Sequence, residues 1–96
     1  GEPDASQMAA TSGDYLVQVS AVRTADAADV AWNRLLQRHP SIFGGTRKSI
    51  ERADLGAKGI FFRVRAGSFP TREAAGRVCE TYKQSGGDCI VVRDAS

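Results

Sequence analysis

The side chains in this 96-residue chain with types and spacing suited to chemistry fall into three sets. Gln18 and Ser20 belong to an alternating run, Tyr15-Leu16-Val17-Gln18-Val19-Ser20, and Arg63 and Arg65 to a second, Phe61-Phe62-Arg63-Val64-Arg65-Ala66. An amide offers one acceptor and two N–H donors, and a guanidinium offers a planar fork of donors. Such groups recognise hydroxyl, amide and carboxylate oxygens; they do not by themselves break bonds. The third set is the pair Cys79 and Cys89. His39, the single histidine, sits beside Pro40 with no nucleophile and acid spaced to work with it, so no catalytic residue is assigned and His39 reads as a capping or surface residue. One His and two Cys fall short of a multi-His or four-Cys zinc site, so neither metal nor cofactor is expected.

Composition bounds what could position these groups. At 42% hydrophobic and 25% charged, the chain suits one small domain and contains no apolar run long enough to span a bilayer. No basic segment followed by an apolar one opens the sequence, and the chain reads as an excerpt of something longer. The net charge of +2 is unevenly spread. Residues 1–14 hold three acids and no base, and their lack of periodicity marks a linker or tail. Residues 15–96, the expected folded domain, hold all thirteen bases against eight acids, about +5. A nucleic-acid binder of this size would be more basic and more clustered, so no nucleic-acid partner is expected.

The elements that must hold the candidate groups come from a repeat. Sliding the chain on itself by 47 residues lays VQVSAVRTADAADVAW over VRAGSFPTREAAGRVC, matching Val17 with Val64, Thr24 with Thr71, and Ala27 and Ala28 with Ala74 and Ala75. Each copy reads as a strand, a turn and a helix. Thr24 and Thr71 are N-cap residues, and Asp26 and Glu73 fall in the first turn, where the helix dipole favours an acid. Ala28, Ala31, Trp32, Leu35 and Leu36 form one apolar stripe, ending at His39-Pro40; Ala75, Val78, Cys79 and Tyr82 form the other, ending at Gly86-Gly87. Trp32 at that spacing is a core residue. Strands are expected over residues 15–21, 47–53, 60–66 and 89–93. The fold class is α+β: a ferredoxin-like β-α-β-β-α-β order, with a four-stranded antiparallel sheet and both helices on one face.

Strict alternation then assigns the faces. Tyr15, Val17, Val19, Phe62, Val64, Ala66 and Val91 turn toward the helices. Leu16, Gln18, Ser20, Phe61, Arg63, Arg65, Ile90 and Val92 turn to the open face. Apolar groups rimmed by fork-shaped donors suggest a binding surface, with the flat apolar patches suited to sugar rings; a face merely solvated, or covered by a partner chain, is the competing explanation. RNA-binding RRM modules share the topology, but residues 60–66, IFFRVRA, lack their aromatic signature. Cys79 lies on the buried stripe and Cys89 at the start of the returning strand. Their sulfurs can meet in a disulfide, expected in an oxidising compartment, or lie apart as two buried thiols.

Three stretches give the chain a family resemblance. Tyr15-Leu16-Val17-Gln18-Val19, Phe62-Arg63-Val64-Arg65-Ala66-Gly67-Ser68-Phe69 and Thr71-Arg72-Glu73-Ala74-Ala75 look like the signature stretches of the SPOR domain. Cys79 with Gly86-Gly87-Asp88-Cys89-Ile90-Val91-Val92 is similar to a subset of that family. The resemblance covers about residues 15–93. It implies a non-catalytic, monomeric module of the bacterial periplasm or cell envelope that binds peptidoglycan glycan strands stripped of stem peptides, as found at the division septum. It further implies a glycan lying across the exposed sheet, with Gln18, Arg63 and Arg65 in contact, and division or envelope proteins as the alternative partners. The sequence departs from the family in its first turn, where Ser20-Ala21-Val22 stands in place of Gly-Ser-Phe.

Overall fold

The computed structural model describes residues 13–94. In chain order it holds β1 (Tyr15–Val22), α1 (Ala25–Arg38), a one-turn α2 (Pro40–Phe43), β2 (Arg47–Asp54), a 3-10 turn (Gly56–Lys58), β3 (Ile60–Phe69), α3 (Arg72–Gln84) and β4 (Ile90–Arg93). The sheet order is β2-β3-β1-β4, with every neighbouring pair antiparallel. The α+β, ferredoxin-like arrangement expected from the sequence is present. Of the acidic stretch 1–14 read as a tail, all but Gly13 and Asp14 lies outside the described residues. Asp14 is tied to the sheet: its carbonyl accepts from Asp94 N at 2.7 Å, and its carboxylate stands 3.7 Å from Arg93 Nη2.

Both long helices begin where hydroxyl caps satisfy their first amides. Thr24 Oγ1 accepts from Ala27 N at 3.0 Å, and Thr71 Oγ1 from Ala74 N at 3.1 Å. Their apolar stripes cover the same sheet face over two adjoining clusters. Ala28, Trp32 and Leu35 of α1 pack on Val64 and Ala66 of β3, while Ala75 and Cys79 of α3 pack on Val17 of β1. Pro40 does more than end α1. Its fixed φ suits the first turn of α2, which carries Phe43 into the core, edge-on to Tyr82 at 5.1 Å between ring centroids. α3 ends at Gly86, whose φ of 97° is left-handed, and Gly87 N then donates to Tyr82 O at 3.0 Å.

Cys79 and Cys89 form a disulfide that joins α3 to the residue preceding β4. Closing so short a loop restricts the unfolded chain and contributes about 2.5–3 kcal/mol. For a small core that is a large share of net stability. Among the described residues no helix is long and apolar enough to cross a membrane, and no group of three or more His, Cys, Asp or Glu could hold a metal ion.

Candidate functional site

Cross-strand partners share a face, so the register of the sheet lays out the surface opposite the helices. Four rows cross it. The first runs Arg47, Gly67, Leu16, Val92 and the second Ser49, Arg65, Gln18, Ile90. The third holds Glu51, Arg63 and Ala21, and the fourth Ala53 and Phe61. The Arg23 guanidinium lies 4.5 Å from the centroid of the Phe61 ring, a cation–π contact.

The polar centre is a bonded chain of four side chains. Arg65 Nε donates to Gln18 Oε1 at 2.9 Å, and Arg65 Nη2 stands 3.2 Å from Glu51 Oε1. Arg63 Nη1 donates to the same Glu51 oxygen at 3.1 Å. One carboxylate oxygen thus bridges two guanidinium groups. Arg65 is only 9% exposed although it belongs to the open face, and a guanidinium that far out of water requires such partners. The bond also fixes the Gln18 amide. Arg65 has donors only, so the amide oxygen must face it, and the Gln18 NH₂ group keeps its donors for a ligand.

The sequence-predicted residues are not all where alternation put them. Gln18, Arg63, Arg65, Phe61, Ile90 and Val92 occupy the open face. Ile90 is 56% exposed at the short β4 edge, whereas the Phe61 ring lies under Arg23. Leu16 keeps its place in the first row but is 6% exposed, packed on the Gly67 backbone, and so forms the floor of the face.

Ser20 requires a correction: it points to the helix side. The β1–β3 register shifts between Gln18 and Ser20, so that Gln18 pairs with Arg65 and Ser20 with Val64. Val19 is the extra residue of a β-bulge, which reverses the alternation beyond it. Ser20 therefore shares the face of the buried Val64 and lines a helix-side cleft of about 190 Å³ with Ala31, Leu35 and Tyr82. Its hydroxyl is buried without a hydrogen-bond partner. The outward position passes to Ala21, opposite Arg63.

Sequence reasoning missed Glu51, Arg23 and Ala21. A signal for Glu51 existed, since Arg47, Ser49 and Glu51 alternate along β2. It was obscured because Lys48 and Arg52 occupy inward register positions where apolar residues are the norm. β2 is an edge strand, and charge there blocks pairing with other sheets. Lys48 reaches Asp29 of α1 at 3.0 Å, which turns it toward the helices.

Comparison with known proteins places this arrangement. Residues 11–93 match the family described as the SPOR domain. The cell division protein FtsN of Caulobacter vibrioides (strain NA1000 / CB15N) is 33% identical over 75 residues, which are 78% of this chain and 28% of that protein. The chain thus spans little more than a quarter of that relative's length. The crystal structure of the RlpA SPOR domain from Pseudomonas aeruginosa has the same fold, with a TM-score of 0.60 at 22% identity over 82% of this chain and 97% of that one. The solution structure of the peptidoglycan binding domain of the B. subtilis cell wall lytic enzyme CwlC gives a TM-score of 0.57 at 25% identity, covering 84% and 89%.

Proposed function

The chain belongs to the SPOR domain family, and on that premise we propose that its open sheet face binds peptidoglycan glycan strands and brings the protein that carries it to the division septum. The module is non-catalytic: it holds a ligand and leaves its bonds intact. The Gln18–Arg65–Glu51–Arg63 chain is the observation that carries this reading, because it aims fixed donors at a surface flanked by the exposed Ile90 and the half-buried Val92. The Gln18 NH₂ group donates to sugar hydroxyl or N-acetyl oxygens. Ile90 and Val92 supply apolar contact for the ring faces. Arg63 and Arg65 meet the lactyl carboxylate of muramic acid, which is free only where the stem peptide has been removed. A preference for denuded strands follows from that pairing.

The SPOR family match and the similarity to FtsN support a periplasmic setting at the septum, and the similarity to the CwlC domain supports peptidoglycan as the ligand; a domain acting as a monomer is part of the same proposal. RNA is disfavoured as ligand, since Phe61, the aromatic side chain of the four rows, is already stacked with Arg23. Retention on intact and amidase-treated sacculi tests the proposal. The denuded material should hold severalfold more protein. Equal retention on both refutes the preference, and no retention on either refutes the function. Docking to a division protein through the same face is the other reading that similarity to FtsN allows, and binding of the domain to purified glycan with no partner protein present decides for the glycan.

A further inference from the structure

We propose that Glu51 sets the charge selectivity of the open face, admitting ligands with sparse carboxylates and refusing dense polyanions; this rests on the glycan reading above and names the residue that restricts it. Glu51 is the one acid among the outward positions of the four strands, which also carry Arg47, Arg63 and Arg65. It does not pair with one base and leave the next. Its Oε1 takes Arg63 Nη1 at 3.1 Å and Arg65 Nη2 at 3.2 Å, so a single negative charge is shared by the two groups that would grip an anion. The cross-strand register puts all three within reach: Glu51 stands directly opposite Arg63, and Arg65 lies one diagonal step away on the same face.

The consequence is electrostatic. Two adjacent guanidinium groups without a partner would attract any phosphate- or sulfate-rich chain, because binding of polyanions scales with the number of charges neutralised. With Glu51 between them the cluster carries a net charge of one, which matches a glycan bearing a single carboxylate per disaccharide. Glu51 also occupies N–H donors that an incoming carboxylate would use, so the ligand must compete for them. The result is discrimination against the wrong partner by an element already inside the site. A purely architectural role, holding the two arginines in place, is the alternative to be separated.

Glu51→Gln separates them, because it keeps the length and an acceptor oxygen while removing the charge. The probes are heparin as a dense polyanion and purified peptide-free glycan strands, each measured at low and moderate salt with thermal melting as the folding control. For Glu51→Gln, heparin affinity should rise at least tenfold at low salt, with a steeper salt dependence, and glycan affinity should rise too, by a several-fold smaller factor. The double variant Glu51→Gln/Ala21→Glu returns an acid beside Arg63 from the opposite strand and should restore weak heparin binding. Unchanged heparin affinity in Glu51→Gln overturns the proposal. So does a parallel loss of both ligands, which marks Glu51 as architectural. If wild type ignores glycan while the heparin gain appears, charge exclusion stands and the glycan reading fails.

Discussion

Gln18 and Arg65 stand 47 residues apart, the offset of the internal repeat, and bond to each other side chain to side chain at 2.9 Å across the β1–β3 ladder. The two half-copies thus meet at equivalent positions, and the meeting point is the middle of the open face. What differs between the copies there is chemistry: the first contributes an amide that can both accept and donate, the second a group that only donates. Two arginines, both donors only, could not have bonded in this way.

That bond separates two roles of Gln18. Gln18→Ala removes the acceptor for Arg65 Nε and leaves that one mostly buried N–H without its partner while Glu51 still holds Nη2, at a cost of about 1–3 kcal/mol. Gln18→Glu keeps the acceptor and loses the outward donors. We expect Ala to lower both stability and glycan retention, and Glu to lower retention about tenfold while melting no earlier than wild type. Urea unfolding and sacculus pull-down read the two effects separately.

Ser20 provides the complementary case. Because the bulge at Val19 turns it toward the helices, with its hydroxyl buried and unpartnered, it takes no part in the face. Ser20→Ala should leave glycan binding within twofold of wild type and should keep or slightly raise stability, since a buried polar atom without a partner is lost. A tenfold loss of binding would place Ser20 back on the open face.

These two residues mark how far the sequence could be read. The order of elements, the helix caps at Thr24 and Thr71, the core role of Trp32 and the reach of Cys79 to Cys89 all follow from local rules of periodicity, capping and chain length, which act over a few residues. The open-face positions of Gln18, Arg63 and Arg65 follow from the same period of two. A bulge obeys no such rule: it depends on which residue of β3 each residue of β1 meets, and nothing local in Val19-Ser20-Ala21 announces it. The Glu51 bridge was hidden for a related reason. It joins side chains from two strands whose relative register only the assembled sheet determines.

The floor of the face should tolerate little added volume. A Cβ at Gly67 would collide with the Leu16 side chain, which is itself buried. Gly67→Ala is expected to destabilise by about 1–3 kcal/mol through overpacking. It should also disturb the Arg47–Gly67–Leu16–Val92 row, reducing glycan retention. Chemical denaturation of the variant checks the first effect, and a midpoint equal to that of wild type would contradict the packing described.

Reduction of the Cys79–Cys89 disulfide is expected to cost about 2.5–3 kcal/mol, read from urea midpoints with and without reductant. The paired variant Cys79→Ala/Cys89→Ala should lose at least as much, because apolar sulfur is also removed from the cluster under α3. Neither cysteine belongs to the open face, so glycan affinity at temperatures where the variant remains folded should match wild type. A selective loss of affinity would link the disulfide to the site.

The bond between Asp94 N and Asp14 O at 2.7 Å, with Tyr15 opposite Arg93 in the ladder, brings the two ends of the described chain to one corner of the sheet. A polypeptide enters and leaves this fold through the same doorway. Such a body can be spliced into a surface loop of a host protein, or its ends joined and new ones opened at Gly44-Gly45, because Asp14 and Asp94 already lie side by side. For engineering, this geometry makes the domain a portable cassette, held at the same corner of the sheet from either end.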